Sequence, residues 1–380
     1  MSTPEVTTNV SEMLLDTVKN YCINESNFNS SLTHPSEENF KNQWKSLSNL
    51  GLLGLGQHFT AMQEPIPHQL QWDIIRILSK YNPGFGLSYL AHNILVTYPL
   101  QIYQHNSWHN FCLQKLMLGQ IGCCAISEPS AGSDVMAMRT TARENRDCYI
   151  LSGEKTWITN GPYADFILVY AKINSRDSRD LAVFILDAHS KGITKSQPMH
   201  KIGMQSSPTG TLIFDNVRIP KHCRLDNRQH SAKKVLFQQL DYERLMLAAG
   251  PVGIMDWCYD KTESYLQTRQ QFGQPIGRFQ LLQGHMADIF TSLHASEAYI
   301  EKCVDLYTTN QLDQKTAASA YLFCSEQALK VADTALQCAG ANGYMHETRY
   351  GQYWQDAKLY TIGGGTSEIR RWIIGRSILG

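Results

Sequence analysis

Phe166-Ile167-Leu168-Val169-Tyr170 and Ala182-Val183-Phe184-Ile185-Leu186 are short apolar runs rich in β-branched and aromatic residues. The polar stretch Asn174 to Asp180 lies between them and reads as a turn or loop joining two strands. Tyr149-Ile150-Leu151 upstream and Thr211-Leu212-Ile213-Phe214 downstream have the same character, set off by Gly, Asn, Asp and Pro. The segment from about Ile121 to Leu225 is therefore expected to be a β unit.

On either side the apolar period changes. From about Glu12 to Gly119 it is helical, as in Phe40 to Leu47 and Trp72 to Leu78. After Lys233 helical spacing returns over long stretches, Val235 to Thr268, Gln280 to Asn310, Lys315 to Ala339, and again beyond Tyr360, which predicts a bundle of long helices. The expected organisation is α, then β, then α, divided at 1–120, 121–230 and 231–380.

The bulk composition narrows the classes. Of the 380 residues 43% are apolar, enough for more than one packed unit. Lys plus Arg and Asp plus Glu both number 34, so no basic field exists to attract nucleic acid. The 10 cysteines lack the paired spacings of zinc or redox sites and read as buried thiols of a reducing compartment. Met1 to Ser11 is polar and lacks an apolar signal core, and no apolar run approaches a membrane span, so a cytoplasmic protein without a membrane or metal partner is expected.

Five separated motifs then occur in order: Ile126-Ser127-Glu128-Pro129-Ser130-Ala131-Gly132-Ser133-Asp134; Gly153-Glu154-Lys155-Thr156-Trp157-Ile158-Thr159-Asn160-Gly161; Leu212 to Pro220; Arg269-Gln270-Gln271-Phe272-Gly273 through Gln280; and Gln337-Cys338-Ala339-Gly340-Ala341-Asn342-Gly343-Tyr344 with Gly365-Thr366-Ser367-Glu368-Ile369. Together they resemble the acyl-CoA dehydrogenase family from about Gly84 to the C-terminus. The resemblance implies an α+β multi-domain fold: an N-terminal helical domain, a middle β-barrel domain and a C-terminal four-helix bundle.

It also implies FAD as cofactor. Ala125, Ile126, Ser127, Ser133, Trp157, Ile158 and Thr159 would meet the flavin, whose ring needs hydrogen-bond donors at one edge and an aromatic wall against water. Arg269, Phe272, Gln280, Gln337, Gly340 and Ala341 would reach the ADP half across a subunit boundary, Thr366 and Glu368 would complete the site, and a homo-oligomer, dimer or tetramer, would follow.

Removing an α-proton from an acyl thioester needs a carboxylate in a dry site that raises its pKa. Most family members carry that Glu immediately before the Gly-Thr of the last motif, and here the position is Gly364. The isovaleryl-CoA branch supplies the base from a Leu-Asp-x-Glu-Arg motif, which this chain matches as Leu240-Asp241-Tyr242-Glu243-Arg244. By that resemblance Glu243 is the base, and Gly364 offers a backbone N–H to the thioester oxygen. Ser133, Asp241, Arg244, Tyr360, Gly363 and Gly365 then shape the substrate site.

Gly56 to Leu70, Gln104 to Lys115 and Lys234 depart from the branch pattern around the expected acyl pocket. Two carriers fit the resemblance, acyl-CoA and an acyl or aminoacyl group on a carrier protein; Ser178-Arg179 resembles a loop that meets the nucleotide end of CoA. The expected electron acceptor is an electron-transfer flavoprotein, or oxygen in a carrier-protein oxidase. Further readings are a flavin monooxygenase and a non-catalytic flavoprotein on the same fold. Retention of Glu243 beside the altered Gly364 speaks against the non-catalytic one, and a monooxygenase would not need Glu243.

Overall fold

A computed structural model describes residues 4–24, 35–55, 67–173, 180–227 and 229–380, with side chains from residue 11 onward. Residues 56–66 of the Gly56 to Leu70 departure, residues 174–179 of the loop between the two apolar runs, and Ser178-Arg179 lie outside the described residues.

Among the described residues six helices come first: α1 Pro4–Asn24, α2 Glu37–Asn49, α3 His68–Tyr81, α4 Pro83–His92, α5 Tyr98–Tyr103 and α6 Ser107–Met117. Asn82 separates α3 from α4 and caps the latter, its side chain accepting from Phe85 N, while Pro83 suits the first helical position. Between α4 and α5 the chain makes a π-helical turn, Asn93–Thr97, and Asn93 Oδ1 accepts from Gly54 N there.

The strands are β1 Gly122–Ala125, β2 Thr141–Glu144, β3 Cys148–Thr159, β4 Phe166–Ile173, β5 Leu181–Asp187, β6 Ile193–Lys195 and β7 Thr209–Pro220. They form one sheet in the order β1-β4-β2-β3-β7-β6, with β5 also on β4. The two opening runs are β4 and β5, paired antiparallel from Phe166↔Asp187 to Lys172↔Leu181. Ala125, Ala142, Leu151, Val169, Phe184 and Phe214, from six strands, share one buried core. The sheet thus wraps a barrel-like interior, although among the described residues its ladder ends at β5 and β6 without closing.

The C-terminal part contains α7 Ala232–Leu247, α8 Ala249–Thr268, α9 Gln280–Thr308 and α10 Gln314–Ala339, followed by the shorter α11 Tyr350–Tyr360 and α12 Ser367–Leu379. A two-stranded hairpin, β8 Gln270–Gln271 with β9 Gln274–Pro275, joins α8 to α9. The first and last helices share a single core: Phe40, Trp44 and Phe85 belong to the same buried cluster as Leu245, Trp257 and Ile300. Arg76 on α3 clamps this contact, pairing with Asp256 on α8 at 2.6 Å and with Glu297 on α9.

Candidate active site

Helix α7 begins at Ser231, whose side chain accepts from Lys234 N. Lys234 itself is exposed in this first turn. Gln239, Glu243 and Leu247 recur every fourth residue and are all buried, so they lie on one face. Tyr170 OH donates to Gln239 Oε1 at 2.6 Å, and Gln239 Nε2 donates to Leu95 O at 3.0 Å and Cys124 Sγ at 3.5 Å. This fastens the helix against β1 and β4.

Glu243 is 8% exposed and, among the described residues, accepts no hydrogen bond and forms no ion pair. Burial pushes its carboxyl up to about 7, and the neighbouring Arg244 charge pulls the other way. Arg244 is engaged elsewhere, donating from Nη1 to Asp241 Oδ1 at 2.6 Å. A desolvated carboxylate with a pKa near neutrality and no structural partner is suited to taking up a proton.

The turn between α11 and α12 faces the same helix. Gly364 has φ 65° and Gly365 φ 91°, in the region where only glycine is comfortable. A Cβ on Gly364 would overlap Leu247 Cδ1 and come within 3.0 Å of Tyr321 Cε1. Leu247 and the Tyr321 ring therefore fill the space where a side chain at 364 would go. The Gly364 N–H has no acceptor among the described residues. Tyr360, whose hydroxyl lies where a Cβ on Gly250 would stand, is buried at the end of α11.

On the sheet side, Thr156 N donates to Ser127 O at 2.9 Å, which sets the Ile126-Ser127 segment beside the end of β3. Beneath them Lys155 and Glu128, 0% and 3% exposed, form an ion pair at 2.9 Å. Lys155 Nζ also donates to Ile126 O at 2.8 Å, and Thr140 N donates to Glu128 Oε1 at 3.0 Å. The β3–β7 register shifts between Lys155 and Ile158, and in that irregularity Trp157 adopts φ 57° and is 57% exposed. A large aromatic face is thus turned outward next to Ser127 and the half-buried Thr159, as a flavin wall requires, while Ala125 and Ile158 are buried behind it and Ser133 is exposed on the loop.

Arg269, Phe272, Gln280, Gln337, Gly340 and Ala341 form a separate surface on the β8–β9 hairpin and the adjoining ends of α9 and α10. Phe272 has φ 50° and is 93% exposed. Gln280 and Gln337 line one cavity of about 670 Å³ with Phe279, Leu281, His285 and Cys338. No hydrogen bond among the described residues joins this surface to the Trp157 face. Thr366 caps α12 by accepting from Ile369 N, and Glu368 is exposed in its first turn.

Three parts of this arrangement escaped the sequence reading: the Lys155–Glu128 pair, Gln239 and Tyr321. Lys155 and Glu128 stand inside quoted motifs, but nothing there signals a buried pair. Gln239 could have been found, because it precedes Glu243 by one helical turn. Tyr321 has no local signature that links it to Gly364, and Arg370, which with Arg371 resembles the isovaleryl-CoA branch, gives in sequence no sign of its contacts with the Tyr360–Gly365 turn.

The arrangement has relatives. The chain matches the family models described as acyl-CoA dehydrogenase, middle domain, over residues 123–217, and acyl-CoA dehydrogenase, C-terminal domain, over residues 234–379. It is 39% identical over 347 residues to the mitochondrial isovaleryl-CoA dehydrogenase of Pongo abelii, covering 90% of this chain and 81% of that one. To the mitochondrial 2-methylacyl-CoA dehydrogenase of Solanum tuberosum it is 42% identical over 268 residues, 70% and 65% of the two chains. Among solved structures, butyryl-CoA dehydrogenase from Megasphaera elsdenii superposes with a TM-score of 0.90 at 25% identity over 98% of both chains. The prolyl acyl carrier protein oxidase AnaB superposes with a TM-score of 0.86 at 25% identity over 97% and 99%.

Proposed function

Because the chain belongs to the acyl-CoA dehydrogenase family, we propose that it dehydrogenates a short, branched acyl thioester between its α and β carbons, with Glu243 removing the α-proton. The observation that carries this reading is the buried, unpartnered Glu243 carboxyl on a helix packed against the Gly364 turn, where no side chain fits.

The family's enzymes use FAD, and the residues present fit it: an exposed Trp157 beside Ser127 and Thr159 for the ring, and the Gln280–Gln337 cavity for the nucleotide end. When bound, FAD supplies the acceptor for the hydride leaving the β-carbon. The chain's own work is to orient and to move the proton. The Gly364 N–H hydrogen-bonds the thioester oxygen and so acidifies the α-carbon. Glu243 takes the proton, and its near-neutral pKa narrows the gap to the carbon acid. Asp241 and Arg244 hold the arm of the thioester, while Tyr360 and Gly363 bound the acyl site. The two surfaces assigned to FAD lie on different elements and fit a dimer or a pair of dimers, in which one copy completes the site of another.

Isovaleryl-CoA is the substrate favoured by the relatives, and an electron-transfer flavoprotein is the acceptor proposed with it. A carrier-protein thioester oxidised with oxygen as acceptor is the second reading, supported by the likeness to AnaB. The ten free cysteines suit a reducing compartment such as the cytoplasm, and among the described residues no helix is long and apolar enough to cross a membrane. Anaerobic mixing of the flavin-loaded protein with isovaleryl-CoA, and separately with carrier-protein acyl thioesters, tests both. Bleaching of the oxidised flavin band by the CoA ester supports the first reading. Bleaching only by the carrier-bound ester supports the second, and none with either ester overturns both.

A further inference from the structure

Arg370 on α12 is 0% exposed, and no carboxylate lies within ion-pair distance of it among the described residues. A buried guanidinium without a counter-charge is expensive to desolvate unless its donors are all engaged. Here they are shared between the 360–365 turn and helix α10. Nε donates to Gly365 O at 2.9 Å and Nη2 to Tyr360 O at 2.6 Å, so one fork ties together both ends of the 360–365 turn. Nη1 donates to Tyr321 O at 3.1 Å and Ser325 Oγ at 2.7 Å on α10. The guanidinium also lies 3.9 Å over the Tyr321 ring, and Tyr321 OH donates to Gly363 O at 2.9 Å. Arg370 and Tyr321 thus hold three of the turn's carbonyls, and the Gly363 carbonyl shares a trans peptide with the Gly364 N–H, so the two point in opposite directions.

We propose that Arg370, stacked on Tyr321, is a positioning residue that fixes the Gly363–Gly365 turn so that the Gly364 N–H points at the thioester oxygen, and that its buried positive charge strengthens that N–H as a donor. The inference rests on the dehydrogenase reading above. Gly364 and Gly365 have positive φ and no side chains to anchor them, so their conformation depends on what grips the flanking carbonyls. A lysine cannot replace the fork, because one ammonium offers no planar pair of donors and no stacking face.

The experiment compares wild type with Arg370→Lys, Arg370→Met and Tyr321→Phe, all as flavin-loaded protein. Two quantities are read: the anaerobic rate of flavin reduction by isovaleryl-CoA, and the long-wavelength charge-transfer band formed with a non-reducing 3-thia-acyl-CoA, which reports α-proton acidity. For Arg370→Met the reduction rate should fall about 100-fold, the loss typical of one oxyanion donor, with the dissociation constant of the thioester changed less than about threefold. The charge-transfer band should form only at higher pH. Arg370→Lys and Tyr321→Phe should fall between Met and wild type, and they carry the test if the Met variant does not fold. Wild-type rates and an unshifted band in Arg370→Lys and Tyr321→Phe would overturn the proposal. Failure of the wild-type protein to be reduced by any thioester would instead remove the reading on which it rests.

Discussion

Glu243 has to be costly to be useful. Its carboxyl is pushed from the ordinary 4.5 up to about 7 by burial, so between those values the unfolded chain gives up the proton before the folded one. Stability should therefore fall as pH rises from about 4.5 to 7, by an amount on the order of 3 kcal/mol, and then level off. Activity runs the other way, since the base works only when ionised: kcat/KM should climb through about pH 7 to a plateau. Glu243→Gln is expected to lower kcat by about 10²–10⁴-fold, to keep bound flavin, and to melt at a higher temperature than wild type at pH 8. Thermal melts at pH 5 and pH 8 beside the rate profile check both halves, and equal activity in the Gln variant would refute the base assignment. The candidate was legible by resemblance, because Gly364 stands where most family members carry the Glu while Leu240-Asp241-Tyr242-Glu243-Arg244 matches the motif of the isovaleryl-CoA branch. Its lack of a partner was not, since burial and pairing are set by β1, β4 and α10, far away in the chain.

At the scale of elements, the Gly364 turn and helix α7 are matched surfaces. Moving the carboxylate to position 364 asks a glutamate to adopt φ 65° and to displace Leu247. Glu243→Gln with Gly364→Glu should thus remain inactive, and adding Leu247→Ala should recover part of the single-turnover flavin reduction by making room. A second joint is the Lys155–Glu128 pair, which staples the 126–140 loop to β3. Removing one partner leaves a buried unpaired charge, so Lys155→Met should cost about 3–5 kcal/mol and release flavin, as seen in a denaturant titration and in the flavin absorbance of the purified protein. Strands β3, β4, β5 and β7, unlike the short β1, β2 and β6, which carry no such run, were readable from their apolar runs and punctuation. The bulge that turns Trp157 outward was not, because it arises from the register of β3 against β7, two segments with the loop, β4, β5 and β6 between them.

For the whole molecule, the α–β–α order was legible from hydrophobic period alone, yet the single core that joins Phe40 and Trp44 to Leu245 and Ile300 was not, since contacts between the two ends of a chain leave no periodic trace. That shared core predicts that the N-terminal helices and the C-terminal bundle unfold together, in one calorimetric transition. The exposed Arg269 and Phe272 surface bears on assembly. If it completes a neighbour's site, Arg269→Glu should lose flavin and weaken self-association together, which sedimentation and flavin content measured on one sample would show.

The separation of the Trp157 face from the Gln280–Gln337 cavity has a genetic consequence. Where each site is assembled from two copies, a lesion in one half does not doom the other. Subunits carrying Glu243→Gln and subunits carrying Arg269→Glu, each inactive alone, would form hybrids in which one site bears both lesions and its sister bears neither. Refolded in equal amounts as random dimers, two dead proteins should regain about a quarter of wild-type activity.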